Sequence, residues 1–141
     1  MSERTIALTR QALDAFNARD TEALIALLHP SVEVHGRFAG LGEVTIYQGH
    51  EGVRGWQADL SAIWEEIRNE PEAMFDLGER TLTFYEIRAK GRLSGAETAM
   101  RFASVTTWQD GLCVSLKIYR DREEALRELG VTREELEPIT P

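Results

Sequence analysis

From Arg68 to Arg120 the chain reads almost without interruption as β-strand, and that run decides what the rest must do. Alternating apolar and polar residues mark strands near Arg68–Leu77, Thr81–Lys90, Thr98–Gln109 and Leu112–Arg120. Asp110-Gly111 joins the last two as a hairpin turn, because both residue types tolerate positive φ. Gly91 and Gly95 mark another turn. Consecutive strands of this length build a long antiparallel sheet, whose apolar face has to be covered.

The cover comes from the first half of the chain. Ile6, Thr9, Leu13 and Phe16 recur at three- and four-residue spacing, with Ala12 beside them, and predict a helix broken by "NARD". Asp20 is placed to cap a short second helix carrying Leu24, Leu27 and Leu28, which His29-Pro30 ends. "SVEVHGRF", Ser31 to Phe38, reads as an opening strand, followed by the glycine-containing loop "AGLGEVTIYQG". A third helix is expected from about His50 to Glu66, with the stripe Val53, Trp56, Leu60, Ile63 and Trp64. "DREEALRELG" closes the chain as a short helix, capped by Asp121 at its start and Gly130 at its end. The order α-α-β-α-β-β-β-β-α predicts an α+β fold in one domain over residues 1–141, with a curved antiparallel sheet wrapped on three helices. The acidic tail from about Val131 to Pro141 is expected to fray.

Charge and cysteine usage narrow the function classes. Acidic residues outnumber basic ones by 24 to 16, for a net charge of −8. A nucleic-acid binder needs a basic surface, so that class is set aside. No apolar run approaches the roughly 18 residues of a membrane span. Cys113 is the single cysteine. No internal disulfide is possible, and the cytoplasm is the default compartment. The three histidines are scattered, none at the spacing of a helical metal pair. Neither a metal nor a cofactor is expected.

The stretches "ALDAFNARDTEALIALLHPSVEVHG", "YQGHEGVRGW", "MRFASVTTWQDGL" and "YRDREEALRELG" together resemble the nuclear transport factor 2-like superfamily, and within it the SnoaL-like, or polyketide cyclase-like, branch. The resemblance spans roughly Thr5 to Val131. It implies a cone-shaped cavity between the helices and the concave sheet face. It says less about chemistry, because this fold hosts isomerases, cyclases, epoxide hydrolases, dehydratases and plain binding modules.

Strand alternation then says which residues face the cavity. Val34 and Phe38 point inward on the first strand, Tyr85 and Ile87 on a later one, then Phe102 and Ser104, then Ile118 and Arg120. From the helices come Phe16, Trp56, Gln57 and Leu60. The expected pocket is aromatic and aliphatic with few polar groups, and suits a small apolar or weakly anionic organic ligand. The opposite sheet face carries Arg88, Lys90, Arg92, Arg101, Lys117 and Tyr119. Family members often dimerise through that face, so a homodimer is expected there.

The chemistries known for this superfamily lack their residues here. Ketosteroid isomerases use a helix tyrosine and a strand aspartate to hold an enolate, and a second strand aspartate as base. The corresponding positions are Ala12, Ser104 and Gly36. Limonene-type epoxide hydrolases use an Asp-Arg-Asp arrangement. Here Arg88 is followed two places on by Lys90, and the last aspartate falls near Ile118.

Five side chains remain as candidates for chemistry. Tyr85 and Ser104 face inward, but Ser104 has no histidine in register to activate it. Arg120 cannot shed its charge, so an inward guanidinium needs either an anionic ligand, a glutamate or the rim. Asp121 is either an acid at the cavity end or the cap of the last helix. His35 alternates with Val32, Val34 and Phe38. Turning those three outward would cost roughly 1.5–3 kcal/mol each, so His35 is placed outside, unless a bulge flips the strand. The expected function is small-molecule binding, or a cyclase- or isomerase-type enzyme with unassigned chemistry. A non-catalytic binding or interaction module is the alternative.

Overall fold

The computed structural model describes residues 2–37 and 44–138. Helix α1 (Ser2–Asn17) leads through Arg19, at a φ of 56°, into α2 (Thr21–Ile25). Asp20 caps α2 by accepting from the Ala23 amide at 3.0 Å. Strand β1 (Leu28–Gly36), β2 (Thr45–Gln48), α3 (Gly49–Ile63) and β3 (Trp64–Leu77) follow. β4 (Arg80–Gly91), β5 (Glu97–Gln109), β6 (Leu112–Tyr119) and α4 (Arg122–Leu129) complete the main elements. The described residues form a curved α+β fold with one six-stranded sheet, ordered β2-β1-β6-β5-β4-β3. Every pairing is antiparallel except β1 with β6, which is parallel. None of the described helices is long and apolar enough to cross a membrane.

Three boundaries differ from the sequence reading. β1 starts at Leu28, two residues ahead of Pro30, because Leu28 already pairs with Cys113 and the register then shifts before Glu33. That irregularity carries Pro30, which has no N–H to give to a ladder. His50 Nε2 donates to the Leu28 carbonyl at 2.8 Å and ties the start of α3 to this corner. The stretch read as a loop after β1 contains β2, whose Tyr47 pairs with Val34. α3 ends at Ile63, not Glu66, because Trp64 is extended and pairs with Gly91.

Each face of the sheet carries a buried apolar cluster. On the inner face Val32, Val34, Tyr85, Phe102 and Ile118 pack against Trp56 and Leu60 of α3. On the outer face Leu82, Phe84, Val105 and Tyr119 lie under Ala125 and Leu126 of α4. Asp121 caps α4 by accepting from the Glu123 amide at 2.9 Å, and Gly130 ends it at a φ of 70°. Arg122 pins α4 down. Its guanidinium carbon sits 4.7 Å from the centre of the Phe84 ring, and it donates to the Tyr85 carbonyl at 3.1 Å and to Glu72 at 2.5 Å. Tyr119, read as part of a free outer face, is only 7% exposed and donates to Glu128 of α4. The chain covers this part of the face with its own last helix. The remaining outer face bears ion pairs such as Arg88–Glu86 at 2.8 Å and Lys90–Glu65 at 3.2 Å.

Trp56 is the wedge of the inner core. Its ring lies 6.1 Å from Phe16 and 6.1 Å from Tyr47, and its Nε1–H donates to the Arg37 carbonyl at 3.0 Å. A Cβ added to Gly36 would meet Trp56 Nε1 at 3.0 Å and Tyr47 Cε2 at 3.2 Å. Gly36→Val is therefore expected to lower stability by about 1–3 kcal/mol through overpacking. Denaturant unfolding measures this, and a midpoint equal to the wild type would contradict the packing described.

Candidate functional site

A cavity of about 80 Å³ lies between the helices and the inner sheet face. Helix α1 supplies Thr9, Ala12, Leu13 and Phe16 to its wall, and α3 supplies Trp56. The sheet supplies Asn69 from β3, Thr83 and Tyr85 from β4, and Ser104, Thr106 and Trp108 from β5. Leu24, Leu28, Cys113, Leu116 and Ile118 close the remaining side. Among the described residues, no Asp, Glu, His, Lys or Arg belongs to this lining.

The polar groups in it are neutral and locally braced. Trp108 Nε1–H donates to Thr9 Oγ1 at 3.0 Å, and Thr9 in turn donates to the Thr5 carbonyl at 2.8 Å. Asn17 holds the Asn69 backbone from both sides, accepting from its N–H at 2.7 Å and donating to its C=O at 2.9 Å. The Asn69 side chain is thereby left in the cavity wall, and its Oδ1 is buried with no protein partner. Tyr85 is 1% exposed, and its hydroxyl lies 2.6 Å from Ser104 Oγ. Burial pushes the Tyr85 phenol above its ordinary range, only partly opposed by the Ser104 hydrogen bond. Burial likewise pushes the Cys113 thiol up to about 12. Neither group is ionised near neutral pH, so neither serves as a base or a thiolate nucleophile there.

Of the residues expected to line the pocket, Phe16, Trp56, Tyr85, Ser104 and Ile118 do so. Val34, Leu60, Ile87 and Phe102 belong to the same core but lie behind the lining. Gln57 is half-buried and outside it, with Nε2 buried and unpartnered by protein. Phe38 lies outside the described residues. Arg120 is corrected outward. β6 ends at Tyr119, so strand alternation no longer governs Arg120, which is exposed at the edge, 5.9 Å from the Phe102 ring centre. The cation proposed for an anionic ligand is thus absent from the wall. Asp121 is the cap of α4 described above and not a cavity acid. His35 is on the face opposite fully buried Val32 and Val34, with its Nε2 2.5 Å from Glu33 Oε1. Of the three positions that correspond to isomerase groups, Ala12 and Ser104 line the cavity, and Gly36 is packed under the Trp56 indole.

Trp108 and Cys113 were not foreseen. Trp108 continues the alternation of Phe102, Ser104 and Thr106, so one further step along β5 reaches it. Cys113 had no such signal. The pairing slips between Thr107–Ser115 and Trp108–Cys113, and this extra residue on β6 puts Cys113 on the same face as Leu116 and Ile118.

A family model described as SnoaL-like domain matches residues 9–116. The chain belongs to the SnoaL-like family. Solved structures agree on the fold of this SnoaL-like chain. An NTF2-like protein of unknown function from Burkholderia pseudomallei is 23% identical with a TM-score of 0.74, covering 88% of this chain and 95% of that one. TerC, co-crystallised with polyporic acid, is 24% identical with a TM-score of 0.73, covering 89% and 97%. A putative polyketide cyclase from Sinorhizobium meliloti is 22% identical with a TM-score of 0.62, covering 79% and 93%. No curated protein matches the SnoaL-like chain.

The outward His35 has a measurable signature. Its hydrogen bond is the largest cause holding the Glu33 carboxyl below its ordinary value, with smaller help from Gln48 and Lys117. A depressed carboxylate is favoured in the folded state above its unfolded value and loses that favour as pH falls through the folded one. In His35→Ala the Glu33 carboxyl should titrate at higher pH than in the wild type, while unfolding stability at pH 7 moves by no more than about 0.5 kcal/mol. NMR titration of the Glu33 side chain checks the first part. An unchanged Glu33 titration would show that the pair does not form.

Proposed function

We propose that this SnoaL-like chain binds a small, uncharged and largely apolar organic molecule in the cavity between its helices and sheet. The observation that carries this is the lining, which is apolar apart from neutral donors and acceptors. A carboxylate or ammonium placed there would lose its hydration with no charged side chain among the described lining residues to replace it. The TerC complex with polyporic acid, in a protein of the same fold, supports small-molecule binding by analogy. Any cyclase- or isomerase-type reaction in this cavity has Tyr85 and Ser104 as neutral hydrogen-bond donors, and no described lining residue is a charged acid or base.

The second reading is a non-catalytic module that uses the fold as a stable core. Cavity volume favours it: 80 Å³ is about half of the roughly 150 Å³ apolar cavity known to take benzene. A ligand is therefore no larger than a small ring unless the walls move. The two readings separate by titrating the protein at pH 7 with methylenecyclopentane and cyclopentanone, against cyclopentanecarboxylate, and following the Trp108 indole N–H by NMR. The neutral compounds should shift it and the anion should not. Comparable binding of the carboxylate would reject an uncharged site, and no shift with any of them would leave the structural reading.

We also propose a homodimer through the part of the outer face that α4 leaves open. Glutamate and arginine alternate there, as in Glu70, Arg88 and Glu86, so the face can meet its own copy. Such a contact is ionic and weakens with salt. Light scattering at micromolar concentration should give a dimer mass at low salt that falls at high salt, and a monomer mass throughout would exclude it. The lone thiol, buried rather than bridged, suits the reducing cytoplasm in which we place the protein.

A further inference from the structure

The cavity ends at Trp108, and space begins again beyond that residue. A surface groove of about 450 Å³ runs between the first turns of α1 and the turns that join β3 to β4 and β5 to β6. Thr5 and Leu8 line it from α1, and Glu79, Gln109 and Asp110 from the other side. Trp108 belongs to the linings of both the groove and the cavity. It is only 3% exposed. One side chain therefore parts the apolar cavity from a groove bordered by charged and amide groups.

The two tryptophans of the cavity wall are held differently. Trp56 is wedged by Phe16, Tyr47 and the close approach of Gly36. Trp108 has no ring partner among the described residues. Its side chain makes one hydrogen bond, from Nε1 to Thr9 Oγ1. Thr9 does not depend on that bond, because its own proton goes to the Thr5 carbonyl. The Trp108 backbone N–H stays on the Glu79 carbonyl at 2.8 Å whichever way the side chain turns. Turning the indole therefore strands one polar group, the indole N–H. The groove holds acceptors for it in the Glu79 and Asp110 carboxylates and the Gln109 amide oxygen. In the empty protein the move only enlarges an apolar void, which is unfavourable. A ligand that fills the vacated space removes that penalty and shifts the population.

We propose that Trp108 is an adjustable end wall, and that a neutral ligand longer than the resting cavity turns its indole into the groove and takes its place. The site then admits an elongated apolar molecule, such as a ring bearing an alkyl chain, and not only a small ring. This rests on the neutral-ligand reading and adds to it the length of molecule that is recognised. The test uses the full chain and two neutral probes, cyclopentanone and 2-pentylcyclopentanone. NMR titration gives their affinities, and the indole N–H signals report solvent exchange. Both ketones should bind. The Trp108 indole N–H should lose its protection from exchange when the long ketone saturates the protein, and keep it with cyclopentanone. Thr9→Val removes the acceptor that holds the wall shut, so the long-to-short affinity ratio should rise about five- to tenfold, the worth of one hydrogen bond. Trp108→Phe, which has no N–H to latch and a smaller ring, should raise the ratio at least as much. A ratio unchanged in both variants overturns the adjustable wall. So does a long ketone that binds with the Trp108 N–H still protected, or that exposes the Trp56 N–H instead. Binding of cyclopentanone alone shows a fixed wall and leaves the neutral-ligand reading standing. Binding of neither ketone overturns both.

Discussion

The indole of Trp56 sits where α1, α3, β1 and β2 meet, and the arrangement of the inner core follows from it. A ring of that size can lie against the sheet only because Gly36 has no side chain in its way. Its single polar atom, which would be costly if buried alone, is satisfied by the Arg37 carbonyl. With the ring fixed, Phe16 and Tyr47 pack on either side of it, and the cavity begins beyond it. The same contact restricts chemistry. A carboxylate cannot stand at position 36 without displacing the indole, so the wedge that secures the helix layer also removes the place where an isomerase of this fold would carry its base.

The two faces of the sheet are filled differently. Under α4 the outer face is closely packed, with Phe75, Leu82 and Phe84 in ring and aliphatic contact; Phe75 and Phe84 meet edge to face at 5.2 Å. The inner face keeps a void and two threonine hydroxyls, Thr81 and Thr83, that it does not satisfy internally. Dense packing on one side lets the other tolerate imperfection, because burial of the outer apolar surface does not depend on what the cavity holds.

Much of this was legible from residue order. The long strands, the Asp110-Gly111 hairpin, the capped last helix and the inward set Tyr85, Phe102, Ser104 and Ile118 follow from period-two alternation and turn chemistry. His35 followed from the same rule, since Val32 and Val34 leave it one face. Legibility failed where alternation is interrupted. Cys113 enters the cavity through a one-residue slip that no local pattern announces. Arg120 left it because β6 stops one residue earlier. Asn69 depends on Asn17, 52 residues away in sequence, and β1 finds its parallel partner only through the tertiary fold. These are non-local facts, and a single sequence carries propensity far better than it carries pairing.

The parallel partnership of β1 and β6 has a consequence for how the molecule comes into being. Val34 is near the beginning of the chain and its partner Leu116 near the end, so during synthesis one edge of β1 emerges from the ribosome long before the strand that will cover it. Until then Val32 and Val34 lie on a half-paired ribbon with β2, and the closure entropy of more than half the chain stands between them and completion. The last strand is thus the keystone of assembly as well as a wall of the cavity. A chain halted before Leu112 leaves an open apolar edge of the kind that pairs with other chains instead of its own.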